Sequence, residues 1–132
     1  MVKVIVDTSA WIESFRPQGE NKLKEVVKQL ISEGNILLPG IVKTEILRGT
    51  KSKEEFQMLD ESLSGLIYLS VEDDFWGRLA RFSFGLLREG ITVPLVDAYI
   101  ALLAIEQKAS LLHRDIHFDF IAEKTGLEIL KY

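Results

Sequence analysis

The chain reads as an α/β protein: a three-layer α/β/α sandwich around a mostly parallel central sheet. Three observations predict this. Short apolar runs alternate with longer amphipathic stretches along the whole of the 132 residues, the pattern of strands linked by helices. Within the longer stretches, apolar residues recur at helical spacing, as Leu23, Val26, Val27, Leu30 and Ile31 do. The 47% hydrophobic content is enough for a real core, and the length fits one domain, expected over residues 1–132. No repeat, low-complexity segment or Pro/Gly/Ser-rich linker divides it.

The elements follow in order. Val2–Val6 reads as a buried strand. Thr8–Phe15 and Glu20–Ser32 read as helices separated by a turn at Pro17-Gln-Gly19. Ile36–Leu38 is a second short strand, stopped by Pro39-Gly40, and helices follow over Ile41–Arg48 and Lys53–Ser62. Leu66–Leu69 is a third strand. Ser70-Val-Glu-Asp73 reads as a capping box opening a helix that runs to about Arg88 and ends near Gly90. Pro94 opens the next helix, through about Gln107. Ser110–His113 is a strand, Ile116–Glu123 a short helix and Leu127–Leu130 a last strand.

Composition removes several function classes. There are no cysteines, so disulfides, thiolate zinc sites and cysteine nucleophiles are excluded. With only His113 and His117, a histidine-rich metal cage is excluded too. No stretch has the ~18 apolar residues of a membrane span. The opening apolar run is too short for a signal peptide, which predicts a cytoplasmic protein. The net charge of −4 counts against a nucleic-acid binder. Setting four site acids aside leaves the remainder neutral, and a neutral surface can still present a local basic rim. Arg16, Lys43, Arg48, Lys51, Lys53 and Arg114 lie near those acids in sequence. Arg78, Arg81 and Arg88 read instead as a solvated helix face.

The acids in question are Asp7, Glu45, Asp97 and Asp115. In open α/β sheets, ligands bind beyond the carboxyl ends of the strands. Asp7 directly follows the first strand, and Asp115 lies just after the fourth. Asp97 gives the sharpest signal: Ile100, Ala101 and Ala104 share its helix face, and all are apolar. A lone acid there is costly unless it is paired, hydrogen-bonded or holding a metal. Each acid also has a plainer reading. Asp7 and Asp97 suit helix N-termini, Glu45 suits a solvated helix face, and Asp115 suits a turn. Trp11, Phe15 and Trp76 read as core or partner contacts, and Phe56, Leu59 and Leu63 as core packing or a docking stripe.

These residues resemble a family. Val4-Ile-Val-Asp7-Thr-Ser9-Ala-Trp-Ile is similar to the opening of PIN-domain nucleases. Glu45, in Thr44-Glu-Ile-Leu-Arg, resembles their helical glutamate, and Asp97-Ala-Tyr-Ile-Ala-Leu-Leu-Ala104 their second Asp segment. Asp115-Ile-His117-Phe118-Asp-Phe-Ile121 resembles their closing Asp-x-His/Asp-Phe. The ordered set spans nearly the whole chain, and its layout looks most like the VapC toxins of toxin–antitoxin pairs. The resemblance implies a PIN-like fold, a homodimer, a Mg²⁺ or Mn²⁺ requirement, RNA cleavage and an antitoxin that blocks the site. It marks Ser9 as a support for Asp7. Where many relatives carry Thr or Ser, this chain has His113, either a hydrogen-bonding group of the site or a residue pointing elsewhere. Asp119 is an extra acid, either an outer ligand or a surface residue.

Four carboxylates without thiols suit a hard divalent cation. Asp7 and Asp97 are expected to be the main ligands, Asp115 to help hold one ion, and Glu45 to bind metal or orient the attacking water. Other classes fit less well. Haloacid-dehalogenase-type phosphatases want Asp-x-Asp where this chain has Asp7-Thr-Ser9, and a receiver domain wants paired acids and a late lysine that are missing here. A non-catalytic PIN-like binding module and a PIN nuclease without an antitoxin stay open.

Overall fold

The computed structural model describes residues 2–132. Among these, twelve elements follow one another as β1 (Val4–Val6), α1 (Thr8–Phe15), α2 (Asn21–Glu33), β2 (Ile36–Pro39), α3 (Gly40–Arg48), α4 (Lys53–Leu63), β3 (Ile67–Leu69), α5 (Phe75–Arg88), α6 (Leu95–Gln107), β4 (Ser110–Leu112), α7 (His117–Lys124) and β5 (Glu128–Ile129). The strands form one five-stranded sheet in the order β3-β2-β1-β4-β5. Every pairing is parallel, with Ile5 opposite Leu37 on one side and Leu111 on the other.

Burial explains why three residues suffice for a strand. Val4, Ile5 and Val6 are buried on both faces, as are Ser110, Leu111 and Leu112, so each run is buried without alternation, and apolar but for Ser110, as an interior parallel strand requires. β1 is shorter than the expected Val2–Val6 because Val2 and Lys3 are exposed beyond the covered part of the sheet. Edge strand β3 leaves Ile67 and Tyr68 open.

The connections fix the layers. The crossovers from β1 to β2 and from β2 to β3 carry α1–α4, where α1 packs on α2 and α3, and α3 on α4. Those from β3 to β4 and from β4 to β5 carry α5–α7, where α5 packs on α6, and α6 on α7. Crossovers in opposite directions, each right-handed, place the two sets on opposite faces. The three-layer sandwich is thus the observed architecture. Strand order reverses between β1 and β4, which opens a crevice at their carboxyl ends.

Two glycines are required by geometry. Gly34 ends α2 in the left-handed region, at φ 72°. A Cβ on Gly19 would sit 2.0 Å from the Glu13 carbonyl oxygen, so the turn between α1 and α2 admits no side chain there.

One expectation fails. Ser70–Asp73 is not a capping box: α5 begins at Phe75, and Asp74 stands at its N-cap without a side-chain cap bond. The buried apolar stripe of Phe75, Leu79 and Leu86 fixes where the helix starts. Asp74 instead meets Arg78 one turn on, at 3.2 Å.

Candidate active site

The crevice between β1 and β4 receives side chains from four parts of the chain. Asp7 leaves the end of β1, its N–H bonded to the Leu112 carbonyl at 2.9 Å, so the parallel ladder itself places it. It also caps α1: Oδ2 accepts the Ser9 N–H at 3.0 Å and the Ser9 hydroxyl at 2.5 Å. The cap reading is therefore correct, and it uses one carboxylate oxygen. Oδ1 has no hydrogen bond among the described residues, although Asp7 is buried. Ser9 Oγ in turn accepts the Arg114 N–H at 3.0 Å, tying the end of β1 to the loop after β4.

Asp97 lies in the first turn of α6, buried beside Ile100, Ala101 and Ala104 on the helix face read from the sequence. Burial, then the nearby charges of Asp115 and Asp7, push its carboxyl up to about 6, against partial relief from His117. Asp115 and Asp7 are thus near enough to act on Asp97, and of the two Asp115 joins it, with His117, in a group of ligand atoms within 4.8 Å of one another. Asp115 stands in the loop between β4 and α7, where its Oδ1 accepts the His117 N–H at 3.0 Å. His117 Nδ1 lies 3.0 Å from both Asp97 Oδ2 and Asp115 Oδ1, bridging the two carboxylates.

Glu45 is half-buried on α3, and the Thr8 hydroxyl donates to its Oε1 at 2.7 Å. Thr8 follows Asp7 in the chain, so this bond ties α3 to the start of α1, while Glu45 itself stands outside the close group of Asp97, Asp115 and His117. His113 is turned inward: its Nδ1 accepts the Asp115 N–H at 3.0 Å, and its Nε2 meets Asp119 Oδ1 at 3.1 Å. Asp119 is largely exposed, and among the described residues its side chain bonds to His113 and to none of the acids.

Two contributors, Thr8 and His117, escaped the sequence reading as site residues, though both stand inside the motifs that carry the resemblance. The signal for His117 was its place two residues past an acid at a helix start. Thr8 gave none, because its partner lies 37 residues away.

The basic residues divide. The Arg114 guanidinium bonds Glu20 and the Tyr132 hydroxyl. Lys43 pairs with Asp60, Arg16 with Glu13, and Arg78 with Asp74 and Glu106. Arg48, Lys51 and Lys53 are exposed and have no ion pair among the described residues. Trp11 is buried, whereas Phe15 and Trp76 are about half exposed. Of the α4 stripe only Leu63 is buried, and Phe56 stays open.

The donor set fits a hard divalent cation. Oxygen donors dominate, Asp97, Asp115 and His117 offer atoms within 4.8 Å of one another, and burial together with the charges of Asp115 and Asp7 raises the Asp97 carboxyl, an effect that a cation would offset.

A doubly wound α/β sheet that gathers carboxylates at its switch point defines the class. Within it, the family model described as PIN domain matches residues 4–124, and the chain belongs to the PIN-domain family. Ribonuclease VapC11 of Mycobacterium tuberculosis is 35% identical over 133 residues, covering 98% of each chain. The VapC ribonuclease Mb1587 of Mycobacterium bovis matches to the same extent, at 35% identity and 98% coverage of each chain. The solved structure of VapBC2 from Rickettsia felis, bound to a DNA fragment from its promoter, has the same fold: the TM-score is 0.79 at 20% identity, over 100% of this chain and 99% of that one. DNA-bound VapBC from Salmonella typhimurium gives 0.78 at 19% identity, over 98% of each chain. No helix of the described residues is long and apolar enough to cross a membrane.

Proposed function

We propose that this protein is a metal-dependent endoribonuclease that hydrolyses RNA phosphodiester bonds and serves as the toxin of a toxin–antitoxin pair. The observation that carries this reading is the meeting of the Asp97 and Asp115 carboxylates across His117, with ligand atoms within 4.8 Å of one another and Asp7 near enough to act on Asp97. The ribonuclease names of the 35%-identical relatives support the reaction. The toxin–antitoxin complexes among the structural neighbours support a cognate antitoxin as partner.

Asp7, Asp97 and Asp115 would hold Mg²⁺ or Mn²⁺, which when bound lowers the pKa of a water and offsets charge on the phosphate. The chain's own groups prepare that chemistry. Ser9 fixes Asp7 by donating twice to Oδ2, which leaves Oδ1 without a hydrogen bond among the described residues. His117 holds the Asp97 and Asp115 carboxylates at one spacing. Glu45, aligned by the Thr8 hydroxyl, is the group placed to orient the attacking water and accept its proton. Arg48, Lys51 and Lys53, exposed and unpaired among the described residues, supply positive charge for an RNA backbone on a chain of net charge −4. The same reading implies a homodimer and a cytoplasmic location, where RNA is the available substrate.

The test is cleavage of RNA with Mg²⁺ or Mn²⁺ by the unaltered protein and by Asp97→Asn. Outer partners of metal ligands are worth roughly 10–100-fold, so loss of a direct ligand should reduce cleavage by at least about a hundredfold. Equal cleavage by both proteins would sink the mechanism. Inactivity of both would favour a PIN-like binding module instead.

A further inference from the structure

The loop that presents Asp115 has no ladder partner: three of its N–H groups go to side chains, and the Asp115 carbonyl accepts the Phe118 N–H at 3.2 Å. The Arg114 N–H goes to Ser9 Oγ and the His117 N–H to the Asp115 carboxylate itself. The Asp115 N–H goes to His113 Nδ1 at 3.0 Å. This last bond fixes the imidazole tautomer. A nitrogen that accepts an N–H carries no proton, so the hydrogen is on Nε2, which donates to Asp119 Oδ1 at 3.1 Å. The ring is held on its face as well: its centroid lies 5.2 Å from that of Phe118, which is fully buried, and only 7% of the His113 side chain is exposed. With both nitrogens and one face engaged, the imidazole has one orientation available, and the acceptor it points at Asp115 is fixed in place.

We propose that His113 is a positioning residue for Asp115: its Nδ1 sets the backbone of Asp115 and so the direction in which that carboxylate enters the crevice. The proposal rests on the reading of Asp115 as a metal-holding carboxylate. Three other contacts to the loop do not replace this one. The Phe118 N–H reaches the Asp115 carbonyl at 3.2 Å, which closes the turn into α7 on the far side of the residue and leaves the Asp115 N–H to His113. The Ser9 bond holds Arg114, one residue earlier, and the His117 bond holds the carboxylate only after the backbone has aimed it. The Asp119 end matters less, because that acid is more than half exposed and its pairing is screened by water.

Amide side chains separate the two ends of the ring. Asparagine places an oxygen acceptor where Nδ1 stands, and Asn readily takes the N–H two residues ahead. Glutamine places an amide near Nε2 and leaves the Asp115 N–H unsatisfied. Three measurements on His113→Asn and His113→Gln decide the matter: Mn²⁺ affinity by titration calorimetry, exchange of the Asp115 amide hydrogen by NMR, and RNA cleavage. His113→Asn should keep Mn²⁺ affinity and cleavage within about threefold of the unaltered protein, with Asp115 still protected. His113→Gln should lose roughly 10–100-fold in Mn²⁺ affinity, the range for outer partners of metal ligands, and its Asp115 amide should exchange faster. Both variants remove the ring from Phe118, so a purely packing role would lower both melting temperatures and leave the two alike in Mn²⁺ affinity and in Asp115 exchange. That equality would overturn the proposal. If the unaltered protein neither binds Mn²⁺ nor cleaves RNA, the reading of the acids falls and this proposal with it. If it does both and the two variants match, the positioning role alone falls.

Discussion

Burial and the charges of Asp115 and Asp7 raise the Asp97 carboxyl from 3.8 to about 6, and the direction of that shift sets a pH dependence. Between those values the folded metal-free protein keeps a proton that the unfolded chain has released. The unfolded state then binds fewer protons, so Asp97 lowers stability as pH rises through the window. Asp97→Asn has no such proton to lose. Urea denaturation in a chelator should show the variant gaining on the unaltered protein from about pH 4 to pH 6, and Mg²⁺ at millimolar level should return stability to the unaltered protein alone. A pH-independent difference would contradict the account. Thr8 allows a second expectation. Thr8→Val keeps the shape and removes the hydroxyl that aligns Glu45, so cleavage should fall roughly tenfold or more while Mn²⁺ affinity holds, with Thr8→Ser restoring the rate. A Val variant as fast as the parent would remove Glu45 alignment from the mechanism. The sequence showed Asp97 because a lone acid on an apolar face is locally anomalous. It could not show the Thr8–Glu45 bond or the orientation of His113, since both depend on which strands become neighbours.

Periodicity located every helix and strand to within a few residues, because the buried faces dictate both. Polar signals were less reliable. Ser70–Asp73 had the composition of a cap, yet α5 waits for Phe75, the first residue able to fill the core. Asp7 shows the opposite case, a cap residue that also belongs to the candidate site. α7 couples packing to chemistry most directly. Phe118 is fully buried on it and supports the His113 ring, so Phe118→Ala should destabilise the fold by about 3–5 kcal/mol in chemical denaturation. A change below about 1 kcal/mol would mean that the site collapses around the gap. Where the substituted protein stays folded, its Asp115 amide should also exchange faster.

At the scale of the molecule, the sheet order was legible only as a class. Alternating strands and helices imply a parallel sheet, but not that β1 lies at its centre with β4 beside it. That adjacency is what carries Asp7 to Asp97 and Asp115. The net charge of −4 equals the charge of the four candidate site acids, so the rest of the chain is balanced overall. Assembly is testable at the same scale: a homodimer requires light scattering to give twice the 15.0 kDa chain mass, and a monomer at micromolar concentration would remove the dimer from the reading. The central place of β1 also has a consequence in time. The strand that carries Asp7 pairs with β4, whose residues Ser110–Leu112 lie roughly a hundred positions further along the chain, and a pairing of such long range forms slowly. The candidate site is then completed only after the helices between these strands have packed. A chain caught before β1 and β4 pair would hold Asp7 apart from Asp97 and Asp115, and so would lack the arrangement on which the site depends.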